Sequence, residues 1–197
     1  MLRHLQAYRV ILGSHSPRRR ELLEGLGLTF EVRTMPEVDE SYPHRLPMQE
    51  IPLYIARNKA GAFAPSPQGN ELLITADTVV LIRQTLLGKP ADRDEALGML
   101  ELLSGCTHRV LTGVCLVSQT RTVAFSACSL VRFAPISEAD RLYYVDHFHP
   151  YDKAGGYGIQ EWIGYIAVEA IHGSFYNVMG LPVERLYREL ARFPHTP

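Results

Sequence analysis

A serine-proline pair followed by three arginines opens the chain's chemistry, in the run Ser14-His15-Ser16-Pro17-Arg18-Arg19-Arg20. Ser16 suits a helix N-cap, and Pro17 suits the first helical position, where its missing N–H costs nothing. The arginines then fall in the first turns of a helix, an end already made positive by free N–H groups and the macrodipole. An anion docked there would remove the conflict. The alternative is a solvated basic turn with Arg20 paired to Glu24, an arginine-first order that is the weaker orientation for such a pair. Further on, Asp77 is the one carboxylate in an otherwise apolar stretch over residues 72–82. Burying it unpaired would be expensive, so it must meet water, a cation or a metal. It marks either a strand break or an acid at a strand end, able to act as general base or metal ligand. Glu37, Asp39 and Glu40 form a second acidic run, either a solvated loop or, with Asp77, a site for Mg²⁺ completed by phosphate oxygens.

Of the 20 basic residues only Lys59, Lys89 and Lys153 are lysines. A coding preference for arginine accounts for such a bias, and so does a need for a compact ammonium where a planar guanidinium cannot substitute. Lys89 and Lys153 sit in Gly88-Lys89-Pro90 and in the glycine-rich run from Asp152 to Gln160. Glycines there let main chain approach a ligand closely, or simply serve tight turns. No Walker loop, nucleophile elbow or zinc motif is present. His147 and His149 supply only a two-ligand fragment of a metal site.

These residues need elements to hold them. Residues 9–13 read as a short buried strand, and Leu22, Leu23 and Leu26 as the apolar face of the helix that Ser16 caps, with Gly27 at its C-terminal end. A strand over 29–34 and a helix over about 49–64, carrying Lys59, follow. Residues 72–76 and 79–82 read as two strands separated by Asp77 and Thr78. Asp92 and Glu95 form a capping-box pattern for a helix to Leu103, closed by Ser104-Gly105. Strands over 110–117 and 122–133, a helix capped by Ser137, a loop over 150–160, a strand over 162–170 and a last helix over 183–193 complete the chain. Helices and strands alternate early and strands adjoin in the middle, which predicts an α/β fold with a mixed, twisted sheet flanked by helices.

The 197 residues suffice to bury a real core, and no linker separates autonomous domains, so the expectation is one domain over 1–197. A formal charge of -1 argues against a nucleic-acid polymer as partner, so any phosphate binding must be local. No apolar run reaches bilayer length and no signal-peptide core opens the chain, which predicts no membrane partner. Cys106, Cys115 and Cys128 lack metal-ligand spacing and read as free thiols of a reducing cytoplasm.

Taken in order, Ser14-x-Ser16-Pro17-Arg18-Arg19, Val38-Asp39-Glu40, Ala56-x-x-Lys59-Ala60, Ala76-Asp77-Thr78-Val79-Val80, Gly88-Lys89-Pro90, Leu103-Ser104-Gly105 with His108, Asp152-Lys153-Ala154-Gly155 through Gly158-Ile159-Gln160, and Gly173-Ser174-x-Tyr176-Asn177-x-x-Gly180-Leu181-Pro182 resemble the Maf family, named for its link to septum formation. The resemblance implies a fold related to inosine-triphosphate pyrophosphatases, with a substrate cleft beside a mixed sheet. It implies hydrolysis of a nucleoside triphosphate to the monophosphate and pyrophosphate, and the combination of Arg18, Thr78 and Gln160 resembles the branch that cleaves dTTP and UTP. By that match Asp77 accepts the proton, while Arg18, Thr78 and Gln160 set base specificity. Ser14, Ser16, Arg19, Lys59, Lys89 and Lys153 bind phosphates, and Glu40 and Asp77 hold a divalent cation, Mg²⁺ or Mn²⁺. The sequence departs from the family where Glu161-Trp162 follows Gln160. A nucleotide-binding regulator of septum formation with little turnover is the alternative. A nucleotidyltransferase would need an acceptor region for which the chain leaves little room. Oligomeric state stays open, a homodimer included.

Overall fold

The computed structural model describes residues 2–33 and 38–194. Among them, strands β1 (Arg9–Leu12), β2 (Phe30–Val32), β3 (Glu71–Ile82), β4 (Thr85–Leu87), β5 (Thr107–Ser118), β6 (Thr122–Phe133) and β7 (Val168–His172) form one sheet in the order β2-β1-β3-β5-β6-β7, with β4 paired to β3. β1 runs parallel to β2 and β3, whereas β4 and β7 pair antiparallel with β3 and β6, so the sheet is mixed as the alternation of elements implied. The helices are α1 (Pro17–Glu24), α2 (Ile51–Gly61), α3 (Arg93–Leu103), α4 (Glu138–Phe148), α5 (Trp162–Ala167), α6 (Phe175–Met179) and α7 (Val183–Ala191).

Local signals placed several of these elements correctly. Ser16 caps α1 with Pro17 at its first position, Asp92 accepts from the Glu95 N–H at the start of α3, and the Ser137 hydroxyl accepts from the Asp140 N–H at the start of α4. Two expectations fail. Asp77 and Thr78 do not divide two strands; β3 runs through them, with residues 72–77 all buried. A strand covered on both faces shows no alternation, and a buried acid with a cationic partner need not end it. The second failure is the strand over 162–170: residues 162–167 are helical and extended pairing begins only at Val168. A short apolar run does not distinguish the two by pattern alone. The β4 hairpin also lacked a sequence cue, because a non-glycine, Arg83, takes the left-handed conformation at its turn (φ 55°).

The chain forms two compact units, one of Met1–Asp77, Thr112–Ala127 and Gly180–Pro197, the other of Thr78–Leu111 and Cys128–Met179. In the first, Ile11 and Leu73 of the sheet pack with Ala56, Ala60 and Phe63 and with Cys115. In the second, Val79, Leu81 and Leu111 form a small core covered by Leu86. All three cysteines are free thiols, and no helix of the described residues is long and apolar enough to cross a membrane.

The second unit also buries His108 against Phe133 and Tyr157, with Nε2 2.7 Å from the Tyr157 hydroxyl and Nδ1 without a partner among the described residues. Burial with no counter-charge pushes its pKa down from 6.5 to about 4. From about pH 6.5 downward the unfolded chain takes up this proton and the folded chain does not. The stability from neutral His108 is therefore fully present above pH 6.5 and is lost as pH falls towards 4, by about 3 kcal/mol. Thermal melting of His108→Gln is expected to depend less on pH between 7.5 and 4.5 than that of the parent protein. Equal acid sensitivity in the two proteins would place the acid-labile group elsewhere.

Candidate active site

β1 delivers the chain into the Ser14 to Ser16 turn, where the Ser14 hydroxyl accepts from the Ser16 N–H at 3.2 Å and the Ser16 hydroxyl accepts from the Arg19 N–H at 3.4 Å. α1 leaves this turn with Arg18 and Arg19 half-buried and Arg20 exposed, paired to Glu24 at 3.0 Å. The solvated-pair reading thus holds for Arg20 alone. Arg19 turns inward: its Nη1 donates to the Ala76 carbonyl at 2.8 Å and its Nε to the Gly180 carbonyl at 2.9 Å, with Ser14 Oγ 3.4 Å from Nη1. Burial lowers the pKa of the Arg19 guanidinium, and the nearby charge of Asp77 opposes that shift.

Asp77 lies in β3, buried, and accepts a hydrogen bond from Lys59 Nζ at 2.6 Å. The pairing follows from two periodicities. Thr75 and Asp77 share one face of the strand, and Ala56 and Lys59 share one face of α2. The Thr75 hydroxyl donates to the Ala56 carbonyl at 2.7 Å, which sets the helix against the strand and brings Lys59 onto Asp77. Lys59 Nζ also lies 2.7 Å from Glu40 Oε1, so its ammonium bridges the two carboxylates. Burial raises the Asp77 pKa, and the charges of Lys59 and Arg19 oppose that shift. The result is a carboxylate with its proton affinity increased, next to cations that suit phosphate oxygens.

Asp39, by contrast, falls elsewhere and closes a local turn, accepting from the Ser41 N–H and hydroxyl, each at 2.8 Å. Glu37 lies outside the described residues. Among those described, no group of three or more His, Cys, Asp or Glu is placed to hold a metal. Glu40 and Asp77 do converge on one cation-sized position, which the Lys59 ammonium fills. Two carboxylates aimed at one point fit Mg²⁺, which takes one or two carboxylates and completes its shell with phosphate oxygens and water. His147 stacks on Tyr143 and places Nδ1 2.8 Å from the Tyr143 carbonyl oxygen, so it has a packing role.

The first unit therefore gathers Ser14, Ser16, Arg19, Glu40, Lys59 and Asp77. Thr78, Lys89, Lys153 and Gln160 belong to the second. Lys89 is exposed, and its turn is tied to the Lys153 loop because the Gly155 N–H donates to the Gly88 carbonyl at 2.8 Å. Gly155 has a φ of 72°, and a Cβ there would fall 2.9 Å from Val80 Cγ2, so the glycine is required. Lys153 is the third lysine expected to bind phosphate. It is buried, with Nζ 2.7 Å from Asp152 Oδ1 and 3.0 Å from Glu161 Oε1. Gln160 is half-buried, and its Oε1 is sealed from solvent with no partner among the described residues. Sequence reasoning missed Tyr144, whose hydroxyl hydrogen-bonds Glu161; only the unusual carboxylate after Gln160 hinted at it.

A family model described as Maf-like protein matches residues 9–193. The dTTP/UTP pyrophosphatase of Parabacteroides distasonis is 56% identical over 193 residues, covering 98% of this chain and 100% of the relative. That of Porphyromonas gingivalis strain W83 is 56% identical over 195 residues, covering 98% of each. That of Flavobacterium psychrophilum is 46% identical over 179 residues, covering 91% of each. Among solved structures, a HAM1 protein from Coxiella burnetii superposes with a TM-score of 0.51 at 16% identity, over 94% of this chain and 100% of the other, a likeness of fold.

Proposed function

The chain belongs to the Maf family, and from that premise we propose that it is a nucleoside triphosphate pyrophosphatase that hydrolyses dTTP and UTP, and modified pyrimidine nucleotides, to the monophosphate and pyrophosphate. The observation that carries this reading is the buried Asp77 carboxylate, held by Lys59 and backed by Arg19. Asp77 accepts a proton from water as the water oxygen bonds to the α-phosphorus. The α–β anhydride bond breaks, and pyrophosphate leaves. Lys59 offsets charge on the phosphoryl oxygens, and positioning with charge neutralisation dominates transfer of this kind. Arg19 holds the Ala76 carbonyl beside Asp77 and keeps a positive charge near the Ser14 to Ser16 turn. With the Lys59 ammonium turned from between them to the phosphate, Glu40 and Asp77 would hold a divalent cation, Mg²⁺ or Mn²⁺, which would supply further charge neutralisation there. Roles for Lys89 in binding phosphate, and for Arg18, Thr78 and Gln160 in choosing the base, rest on the family match.

In this reading the enzyme works in the cytoplasm on a free nucleotide. A nucleotide-binding regulator without turnover is not favoured, since the relatives at 56% identity carry the name of a pyrophosphatase. Incubating the purified protein with UTP or dTTP and Mg²⁺ is expected to give monophosphate and pyrophosphate with little orthophosphate, and chelator is expected to abolish the reaction. Diphosphate and orthophosphate as products would move attack to the γ-phosphorus and overturn the assignment.

A further inference from the structure

Gly158, Ile159, Gln160 and Glu161 form a four-residue turn closed by the Glu161 N–H donating to the Gly158 carbonyl at 2.9 Å, with Gln160 at its third position. One buried side chain holds both ends of this turn. Tyr144 of α4 is fully buried, and its hydroxyl accepts from the Gly158 N–H at 2.9 Å while donating to Glu161 Oε2. A tyrosine hydroxyl with both its donor and an acceptor position engaged has one orientation. The other Glu161 oxygen takes the Lys153 ammonium at 3.0 Å, and Lys153 is in turn fixed to Asp152 at 2.7 Å. Gly158 makes room for this pair, because a Cβ there would lie 2.8 Å from Glu161 Cδ and 3.0 Å from Lys153 Cε.

Between the two anchored residues, the Gln160 Oε1 is kept out of water without a donor among the described residues. A buried acceptor left unsatisfied is unfavourable for the fold alone, and a ligand that the side chain turns to meet can bring the missing donor. The N3–H of uracil or thymine is such a donor, with O4 beside it to accept from the Nε2 amide that Gln160→Glu removes; cytosine has a bare nitrogen and an amine at those positions. We propose that Tyr144, Glu161 and Lys153 form a clamp that fixes the Gln160 turn, making Tyr144 and Glu161 positioning residues for base discrimination. The inference rests on the reading of Gln160 as the base-contacting residue, and it assigns Lys153 to the clamp instead of to phosphate.

Glu161→Gln keeps the shape of the side chain and removes the charge that binds Lys153, while Tyr144→Phe removes both hydrogen bonds of the hydroxyl. Steady-state kcat and KM for UTP and CTP would be measured for both variants and for Gln160→Glu, together with thermal melting. Because small misplacements in a positioned site are costly, the UTP to CTP ratio of kcat/KM is expected to fall about tenfold or more in Glu161→Gln, through a raised KM for UTP, in a protein that still melts cooperatively. Tyr144→Phe is expected to act in the same direction; should it fail to fold, Glu161→Gln carries the test. An unchanged ratio in folded Glu161→Gln, with Gln160→Glu lowering it, would overturn the clamp and leave the base reading intact. A ratio unchanged in Gln160→Glu would overturn the base reading and the clamp with it. Equal losses of kcat for both nucleotides, with KM unmoved, would make the network structural and also overturn the proposal.

Discussion

Asp77→Asn is expected to lower turnover of UTP by about 10²–10⁴, the usual loss when a positioned general base is removed, while the melting temperature stays the same or rises. The two effects share one cause. Burial raises the Asp77 pKa, so the fold disfavours the ionised carboxylate that the reaction uses. Asparagine has nearly the same shape, and its Oδ1 can still accept from Lys59, which lies 2.6 Å from Asp77 Oδ1. The desolvated charge is gone, and Lys59 keeps Glu40 at 2.7 Å as counter-ion. A residue whose replacement abolishes activity without loss of stability is one retained for function at some expense of the fold. Product release and thermal melting, measured on the same preparation, decide the matter. A variant that keeps more than half of the parent turnover, or one that melts far lower, would return Asp77 to a structural role as an interruption in β3.

What the sequence revealed divides by the range of the interaction. Ser16, Asp92 and Ser137 were readable as caps because each acts within three residues on its own helix. Asp77 stood out because a lone carboxylate in an apolar run demands a partner, yet the partner lay beyond reach of pattern. Lys59 is 18 residues away, and only the seating of α2 on β3 through Thr75 and Ala56 brings it there. The same limit explains Arg19. Its position at a helix N-terminus suggested an anion ligand, but the carbonyls that orient its guanidinium, one of them 161 residues away, lay outside any local pattern. Tyr144 and Glu161 carried no joint signal, being 17 residues apart on a helix and after a turn. The elements misread were those where burial on both faces, or a run too short to show its period, erases the difference between helix, strand and break.

Seating of α2 also sets the largest stability effect. Gly113 of β5 lies under the start of this helix, and a Cβ there would sit 2.3 Å from the Leu53 Cα and backbone nitrogen and 2.4 Å from the Pro52 carbonyl carbon. Those atoms are main chain, so no rotamer change relieves the overlap; α2 or β5 must shift. Gly113→Ala is expected to destabilise by about 3 kcal/mol or more, the upper range for overpacking a core. For a chain of this size that lowers the melting temperature by roughly 6–12 °C. Activity should fall as well in the molecules that stay folded, because lifting α2 pulls Ala56 from Thr75 and Lys59 from Asp77. Gly61, the last residue of the same helix, supplies the control: a Cβ there meets nothing within 4 Å. Gly61→Ala is therefore expected to leave stability unchanged or raise it by up to about 1 kcal/mol through helix propensity. Thermal melts of the two variants should move apart, Gly113→Ala downward and Gly61→Ala not. If Gly113→Ala melts within a degree or two of the parent protein, α2 is not seated on β5 as described, and the placement of Lys59 against Asp77 loses its physical basis.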